Sequence, residues 1–351
     1  MKTYFLQVKD VVQETSDAIT IEFWHPLAEQ IKYKAGQFLT LIVPADEGKK
    51  VRRSYSMSSS PHADTAVAVT VKRVEGGLVS NYLCDNIKTG DFIEAVEPMG
   101  HFVVEPDAEK ERHIVLIGAG SGITPLMSML KTTLKMEPKS KVTLVYGNRT
   151  VDKIIFRKAL MILEAEYADR LQVAKLLTQP DDTWAGERGR ITKANIVMLL
   201  KERDVHFKSE AFYLCGPSEM MDDVVSALGM FDVPKERIHR ESFNAPMMGE
   251  NEPEEEDEGL KKQEVTVNYD GDNFTFNVEP HQSILEAALD QDIDLPYSCQ
   301  AGMCTACLGK CTTGKVIMDE DDGLTEAEIK EGFVLTCVAH PTTKGVTIEI
   351  E

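Results

Sequence analysis

In the first third of the chain, apolar residues come in short β-branched runs, AITIEFW, QFLTLIV and AVAVTVKRV, separated at short intervals by Gly, Pro and Asp. Runs of this kind predict the strands of an antiparallel β-barrel over residues 1–107. From Arg112 the pattern changes to strand, glycine turn and helix: HIVLI, then GAGSGITP, then LMSMLKTTLK. The later strands KVTLVYG and AFYLCG are separated by helical stretches such as KIIFRKALMILEAEY, so residues 108–246 are expected to form an α/β domain on a parallel sheet. Residues 250–258 read ENEPEEEDE, seven acids in nine residues, and cannot bury enough surface to fold. An acidic linker is therefore expected over 247–262, followed by a third domain at 263–351. That domain opens with the alternating runs EVTVNY and NFTFNV around the turn DGDN, a hairpin signal. No internal repeat is present.

Length agrees with this division, since 351 residues exceed the roughly 100–200 typical of one domain. A net charge of -20 favours basic protein partners and disfavours nucleic acid and anionic membranes. The N-terminal MKTYFLQVKD lacks the apolar core of a secretory signal, and no run approaches the ~20 apolar residues of a membrane span. A soluble, cytoplasmic protein without membrane insertion is expected, and in that compartment clustered cysteines bind metal or do redox chemistry more often than they form disulfides.

Four of the seven cysteines fall in CQAGMCTACLGKC, residues 299–311. Cys299, Cys304 and Cys307 follow the C-x4-C-x2-C spacing of plant-type [2Fe–2S] ligation, with Cys337 as a distant fourth thiolate. The small residues Ala301, Gly302, Thr305 and Ala306 allow the backbone to wrap closely around a cluster and turn N–H groups to its sulfurs. Cys311 lies outside the spacing. Zinc, which also uses Cys-x2-Cys pairs, is the alternative, although only His340 stands near Cys337 to complete a second pair.

CQAGMCTAC, followed by LTC and the strand VTIEI, resembles a plant-type ferredoxin domain along its whole length. RRSYSMSSSP (52–61) resembles the R-x-Y-S motif of the ferredoxin–NADP reductase superfamily, and GGLVSNYL (76–83) its G-x-x-S-x-x-L. The resemblance implies that Arg53 neutralises a flavin phosphate, Tyr55 lies against the flavin and Ser56 bonds near its N5 edge. It further implies that Gly77 permits close approach and that Ser80 opens a helix facing the pyrophosphate of FAD.

GAGSGITP is G-x-G-x-G and not the G-x-G-x-x-G fingerprint, but it resembles the same family's dinucleotide turn. There Gly118, Gly120 and Gly122 would give clearance and Thr124 would donate near the nicotinamide. YLCGP resembles the family's C-G-P turn, which places Cys215, Gly216 and Pro217 beside the hydride path. In YGNRT, Arg149 stands where an acid would bind a ribose 2′-hydroxyl, which favours NADPH over NADH. RESFN resembles the family's E-x-F, with Glu241 and Phe243 towards the flavin.

Barrel, nucleotide domain and ferredoxin in this order resemble the one-component reductases of bacterial oxygenase systems. The resemblance implies a β-barrel FAD domain, an α/β nucleotide domain and an α+β β-grasp ferredoxin. It also implies hydride transfer from NAD(P)H to FAD and single-electron delivery through the cluster to an oxygenase, hydroxylase or desaturase. Asp319, Glu320, Asp321 and Asp322 suggest an acidic docking face. The alternative function is a flavoprotein whose zinc-stabilised C-terminal module docks without carrying electrons.

Overall fold

The computed structural model describes residues 2–26, 30–44, 50–207, 211–243, 261–302, 304–319 and 323–350. It divides into two compact units, 1–242 and 243–351. The expected acidic linker lies almost wholly within 244–260, outside the described residues.

The first unit begins with β1 (Thr3–Thr15), β2 (Ala18–Phe23), β3 (Phe38–Pro44), β4 (Lys50–Ser56), β5 (Val67–Lys72), α1 (Leu78–Asn86) and β6 (Phe92–Met99). The strands form one antiparallel sheet in the order β4-β3-β6-β1-β2-β5. An antiparallel bridge between Met57 and Val69 joins its two ends and closes it into a barrel. Alternation sends Leu6, Ile21, Leu39, Leu41, Val69 and Val71 into the barrel core, all fully buried.

The unit continues with β7 (His113–Ala119), α2 (Ile123–Met136), β8 (Lys141–Asn148), α3 (Arg157–Glu166), β9 (Leu171–Leu177), β10 (Glu187–Arg188), α4 (Lys193–Lys201), β11 (Ala211–Cys215), α5 (Ser218–Gly229) and β12 (Ile238–Glu241). These strands are all parallel, in the order β10-β9-β8-β7-β11-β12. Their near-continuous apolar runs follow from burial on both faces. The strand order reverses between β7 and β11, so the crevice at their carboxyl ends is where such sheets bind ligands. The barrel packs on α2, with Ser128 Oγ donating to Ser59 O at 2.5 Å and the Ser60 and Thr132 hydroxyls 2.7 Å apart.

The second unit contains β13 (Gln263–Tyr269), β14 (Asp272–Val278), α6 (Ile284–Leu289), β15 (Leu308–Thr313), β16 (Val316–Met318), α7 (Glu326–Lys330), β17 (Phe333–Leu335), β18 (Ala339–Pro341) and β19 (Val346–Ile350). The expected hairpin is β13–β14, and β13 pairs in parallel with β19 in a sheet ordered β14-β13-β19-β15-β17. Its apolar face packs on Ile284, Leu285 and Ala288 of α6, which is the β-grasp arrangement. Ser283 and Glu286 fix the start of α6 with a capping box.

Candidate functional site

On β4, alternation puts Arg53 and Tyr55 on one face and Ser56 on the other. Arg53 is half-buried, its guanidinium donating to Arg52 O at 2.8 Å. Burial pushes the Tyr55 phenol well up, and the Arg53 charge beside it opposes that shift. Ser56 is buried and donates to Oε2 of Glu241, at the end of β12, at 3.1 Å. Glu241 is itself 4% exposed.

The helix that the resemblance assigned to Ser80 is α1. Gly77 caps α1 with extended backbone, and Ser80 lies buried in the first turn. Its hydroxyl accepts from the Val74 amide at 3.1 Å and so closes the turn onto Gly77. A Cβ on Gly77 would sit 2.8 Å from that hydroxyl, so the close approach needs glycine.

The two turns of the nucleotide domain meet. Gly118 pairs with Cys215 in the parallel register, and a Cβ on Gly122 would lie 2.0 Å from Cys215 O. A Cβ on Gly216 would come within 3.1 Å of the Ala119 amide. Gly122 is therefore a glycine because backbone meets backbone, while a Cβ on Gly118 or Gly216 would first meet the side chain of Leu126 at 2.7 Å or Met220 at 2.8 Å. Gly120 differs: it holds φ +56, and the nearest atom to its missing Cβ is Lys72 Nζ, 3.6 Å away. Lys72 went unread in the sequence, where its only signal is the VKR at the end of a strand. Thr124 is buried, and its hydroxyl donates to Ser121 O at 3.0 Å, closing the turn.

Cys215 is fully buried, and burial, reinforced by the Glu241 carboxylate, pushes its thiol well above the usual range. Ser56, Glu241 and Cys215 thus converge from β4, β12 and β11. Pro217 caps α5. Arg149 is exposed just beyond β8, its carbonyl accepting from the Gln179 amide at 2.8 Å. Phe243 is 44% exposed and belongs to the second unit.

In the second unit, the loop between α6 and β15 carries Cys299, Cys304 and Cys307, and Cys337 follows β17. Cys307 and Cys337 place their sulfurs 3.3 Å apart. Cys299 is hydrogen-bonded to both Cys304 and Cys337, so all four thiols meet. Cys304, Cys307 and Cys337 are at most 2% exposed. Left-handed backbone at Gln300 and Gly302 wraps the loop. A Cβ on Gly323 would strike Gly302 O at 2.7 Å and the Cys304 amide at 3.1 Å.

Hydrogen bonding to Cys299, then burial, raises the Cys304 thiol, while contacts with Cys299 and Cys307 and then burial raise Cys337. A bond from Cys337 lowers Cys307. Four crowded sulfurs, three of them buried, can all ionise only around a cationic centre, so the donor set fits an iron–sulfur cluster. Cys311 stands apart on β15, its sulfur 3.4 Å from Thr313 O. His340, the nearest candidate for a zinc ligand, is engaged elsewhere, Nδ1 with Gln282 O at 3.1 Å and Nε2 with Asp319 at 2.9 Å. Asp319 is thus paired within the domain, and residues 320–322 lie outside the described residues.

Residues 6–104 match the Oxidoreductase FAD-binding domain family, 116–226 the Oxidoreductase NAD-binding domain family and 267–342 the 2Fe-2S iron-sulfur cluster binding domain family. The chain is 39% identical to a subunit of the 1,2-phenylacetyl-CoA epoxidase of Escherichia coli (strain K12), over 99% of this chain and 97% of that protein. It is 36% identical to the ferredoxin reductase component of 3-ketosteroid-9-alpha-monooxygenase of Rhodococcus rhodochrous, over 99% and 97%. Among solved structures, phthalate dioxygenase reductase shares the fold with a TM-score of 0.63 and 22% identity, over 99% of this chain and 98% of that one.

The three domains define an NAD(P)H-dependent flavin and iron–sulfur oxidoreductase. The chain belongs to the family of ferredoxin reductase-type components of oxygenase systems. Among the described residues no helix is long and apolar enough to cross a membrane.

Proposed function

We propose that this chain is the cytoplasmic reductase component of an oxygenase system, drawing on NADPH and delivering electrons singly to the oxygenase. FAD, when bound, accepts hydride and releases electrons one at a time, and a [2Fe–2S] cluster carries them singly. Arg53 neutralises a flavin phosphate and Tyr55 packs along the flavin. Gly77 and the turn that Ser80 closes admit its pyrophosphate.

Ser56 and Glu241 hold a proton at Ser56 Oγ, beside the site of hydride arrival. Cys215, kept as a thiol, fills the space next to them and excludes water. Gly118, Gly122, Gly216 and Pro217 shape the crevice for the nucleotide, with Thr124 bracing the turn. Gly120 lets the phosphates approach Lys72, whose ammonium matches their charge. Arg149, exposed at the end of β8 with no acidic side chain in YGNRT, pairs with the 2′-phosphate of NADPH. Cys299, Cys304, Cys307 and Cys337 ligate the cluster.

The domains run over 1–107, 108–246 and 263–351, with an acidic linker at 247–262. The three family matches fall inside these bounds, which supports them. The relatives that are reductase components of monooxygenases support the partner class.

One observation carries the reading: four thiols from the C-x4-C-x2-C loop and Cys337 meet in the same chain that brings Ser56, Glu241 and Cys215 together. Metal, sulfide and flavin analysis of purified protein tests it. About two irons and two acid-labile sulfides per FAD are expected. Zinc in place of iron would leave a docking module that carries no electrons.

A further inference from the structure

The segment that leads from Arg149 into α3 makes one turn of 3-10 helix at Val151–Lys153 and ends at Phe156, which caps α3 in left-handed backbone at φ +59. That conformation is uncommon for so large a side chain and persists where the surroundings hold it. Here the barrel holds it. Oε2 of Glu14, near the end of β1, accepts the Phe156 amide at 3.2 Å. Lys153 Nζ donates to Ser16 Oγ at 2.7 Å and pairs with Oδ1 of Asp17 at 3.1 Å, both in the turn between β1 and β2. Ala18, the first residue of β2, is fully buried in the same apolar cluster as Ile154, Ile155 and Phe156.

Glu14 is fixed in turn from inside the barrel. Its Oε1 accepts the Thr20 hydroxyl at 2.9 Å, the Thr20 and Thr70 hydroxyls lie 2.8 Å apart, and those of Thr70 and Ser58 also 2.8 Å. All three hydroxyl residues are buried. Each hydroxyl has one proton and a carboxylate only accepts, so Ser58 donates to Thr70, Thr70 to Thr20 and Thr20 to Glu14. One carboxylate oxygen thus belongs to the barrel and the other to the segment that carries Arg149.

We propose that Glu14 is a positioning residue for NADPH, setting the Arg149 segment against the barrel that binds FAD. The proposal rests on the reading above, in which Arg149 pairs with the 2′-phosphate. A segment held in place before the nucleotide arrives spares the ordering cost of binding.

The test uses the full FAD- and cluster-loaded chain. Glu14→Ala releases the Phe156 amide and should weaken NADP+ binding about fivefold, the worth of one ordinary hydrogen bond, while NAD+ affinity and the flavin-reduction rate at saturating NADPH stay unchanged. In the Arg149→Ala background the same substitution should weaken NADP+ no further, because Glu14 acts through Arg149. Glu14→Gln should keep the affinity. Its carbonyl oxygen accepts the Phe156 amide, its NH2 donates to Thr20, and the hydroxyl chain reverses, with Ser58 donating to Ala68 O, 3.4 Å away. A further measurement needs no variant: adenosine 2′,5′-bisphosphate should slow amide exchange in 149–156 and also in 16–18 of the barrel turn.

Unchanged NADP+ affinity in Glu14→Ala, with affinity lost in Arg149→Ala, overturns the positioning role and leaves the site reading standing, whatever happens to the melting temperature. Equal losses in Glu14→Gln and Glu14→Ala overturn it too, as does a loss undiminished in the Arg149→Ala background or protection confined to 149–156. If Arg149→Ala itself leaves NADP+ binding unchanged, the site reading fails and the proposal with it.

Discussion

The hydroxyl of Ser56 donates to Oε2 of Glu241 at 3.1 Å across 185 residues of chain, and both groups are buried. A buried carboxylate of this kind is stabilised by its hydrogen bonds, and losing one makes its burial more costly. Glu241→Ala should slow flavin reduction by NADPH about 10–100-fold, the range of a charge-assisted hydrogen bond, with the flavin and cluster spectra retained. Stopped-flow absorbance decides, and an unchanged rate contradicts the role given to the pair.

On the proposed reading, Arg149 sets the choice of nucleotide. Arg149→Ala should lower kcat/KM for NADPH about 10–100-fold, as expected for losing one charge-assisted pair, and leave NADH nearly unchanged. Equal losses for both nucleotides would remove the assignment.

The nucleotide domain rests on a buried ion pair. Arg112 bonds Glu137 through Nε at 3.0 Å and Nη2 at 2.6 Å, and the Glu137 side chain is fully enclosed. Burial pushes this carboxyl up, but hydrogen bonds from Arg112, Ser140 and the Asp107 amide outweigh it and hold the group below its usual range. Glu137→Ala strands the Arg112 charge and should cost about 2–4 kcal/mol, somewhat less than a fully buried pair because Arg112 is partly exposed. Urea unfolding followed by far-UV circular dichroism measures it.

His113 makes stability depend on pH. Burial first, then the charges of Lys141 and His206, lowers its imidazole to about 4. The unfolded chain therefore binds the proton more readily, and the contribution of neutral His113 is complete above about pH 6.5. It is lost as pH falls from there towards about 4. The loss should be about 1 kcal/mol, because the partly exposed ring is screened by solvent. His113→Gln should flatten this part of the stability profile; an unaltered slope contradicts the assignment.

The ligand loop is legible in the chain because Cys299, Cys304 and Cys307 lie within nine residues, among side chains small enough to let the backbone wrap. The strand–turn–helix at 113–136 is legible for a similar reason, as its apolar run, glycines and helix are contiguous. The Ser56–Glu241–Cys215 convergence is legible only through the family resemblance, because three strands far apart in sequence must first assemble into two packed domains. Ser80 and Thr124 show a different limit. Sequence reveals a hydroxyl near a turn, and only the folded backbone shows that it closes that turn on Val74 N or Ser121 O. Lys72 hides in a strand end that reads as ordinary barrel until Gly120 is brought against it.

The central claim is that electrons entering from NADPH leave through the cluster held by Cys299, Cys304, Cys307 and Cys337. Anaerobic NADPH titration followed by electron paramagnetic resonance tests it most directly, with Cys337→Ser and Cys311→Ser alongside. The unsubstituted protein and Cys311→Ser should both develop the signal of a reduced [2Fe–2S] centre as NADPH is added. Cys337→Ser should lack it while still passing electrons from flavin to ferricyanide. A flavin that bleaches with no cluster signal in the unsubstituted protein, or a signal that survives Cys337→Ser and vanishes in Cys311→Ser, would contradict the account.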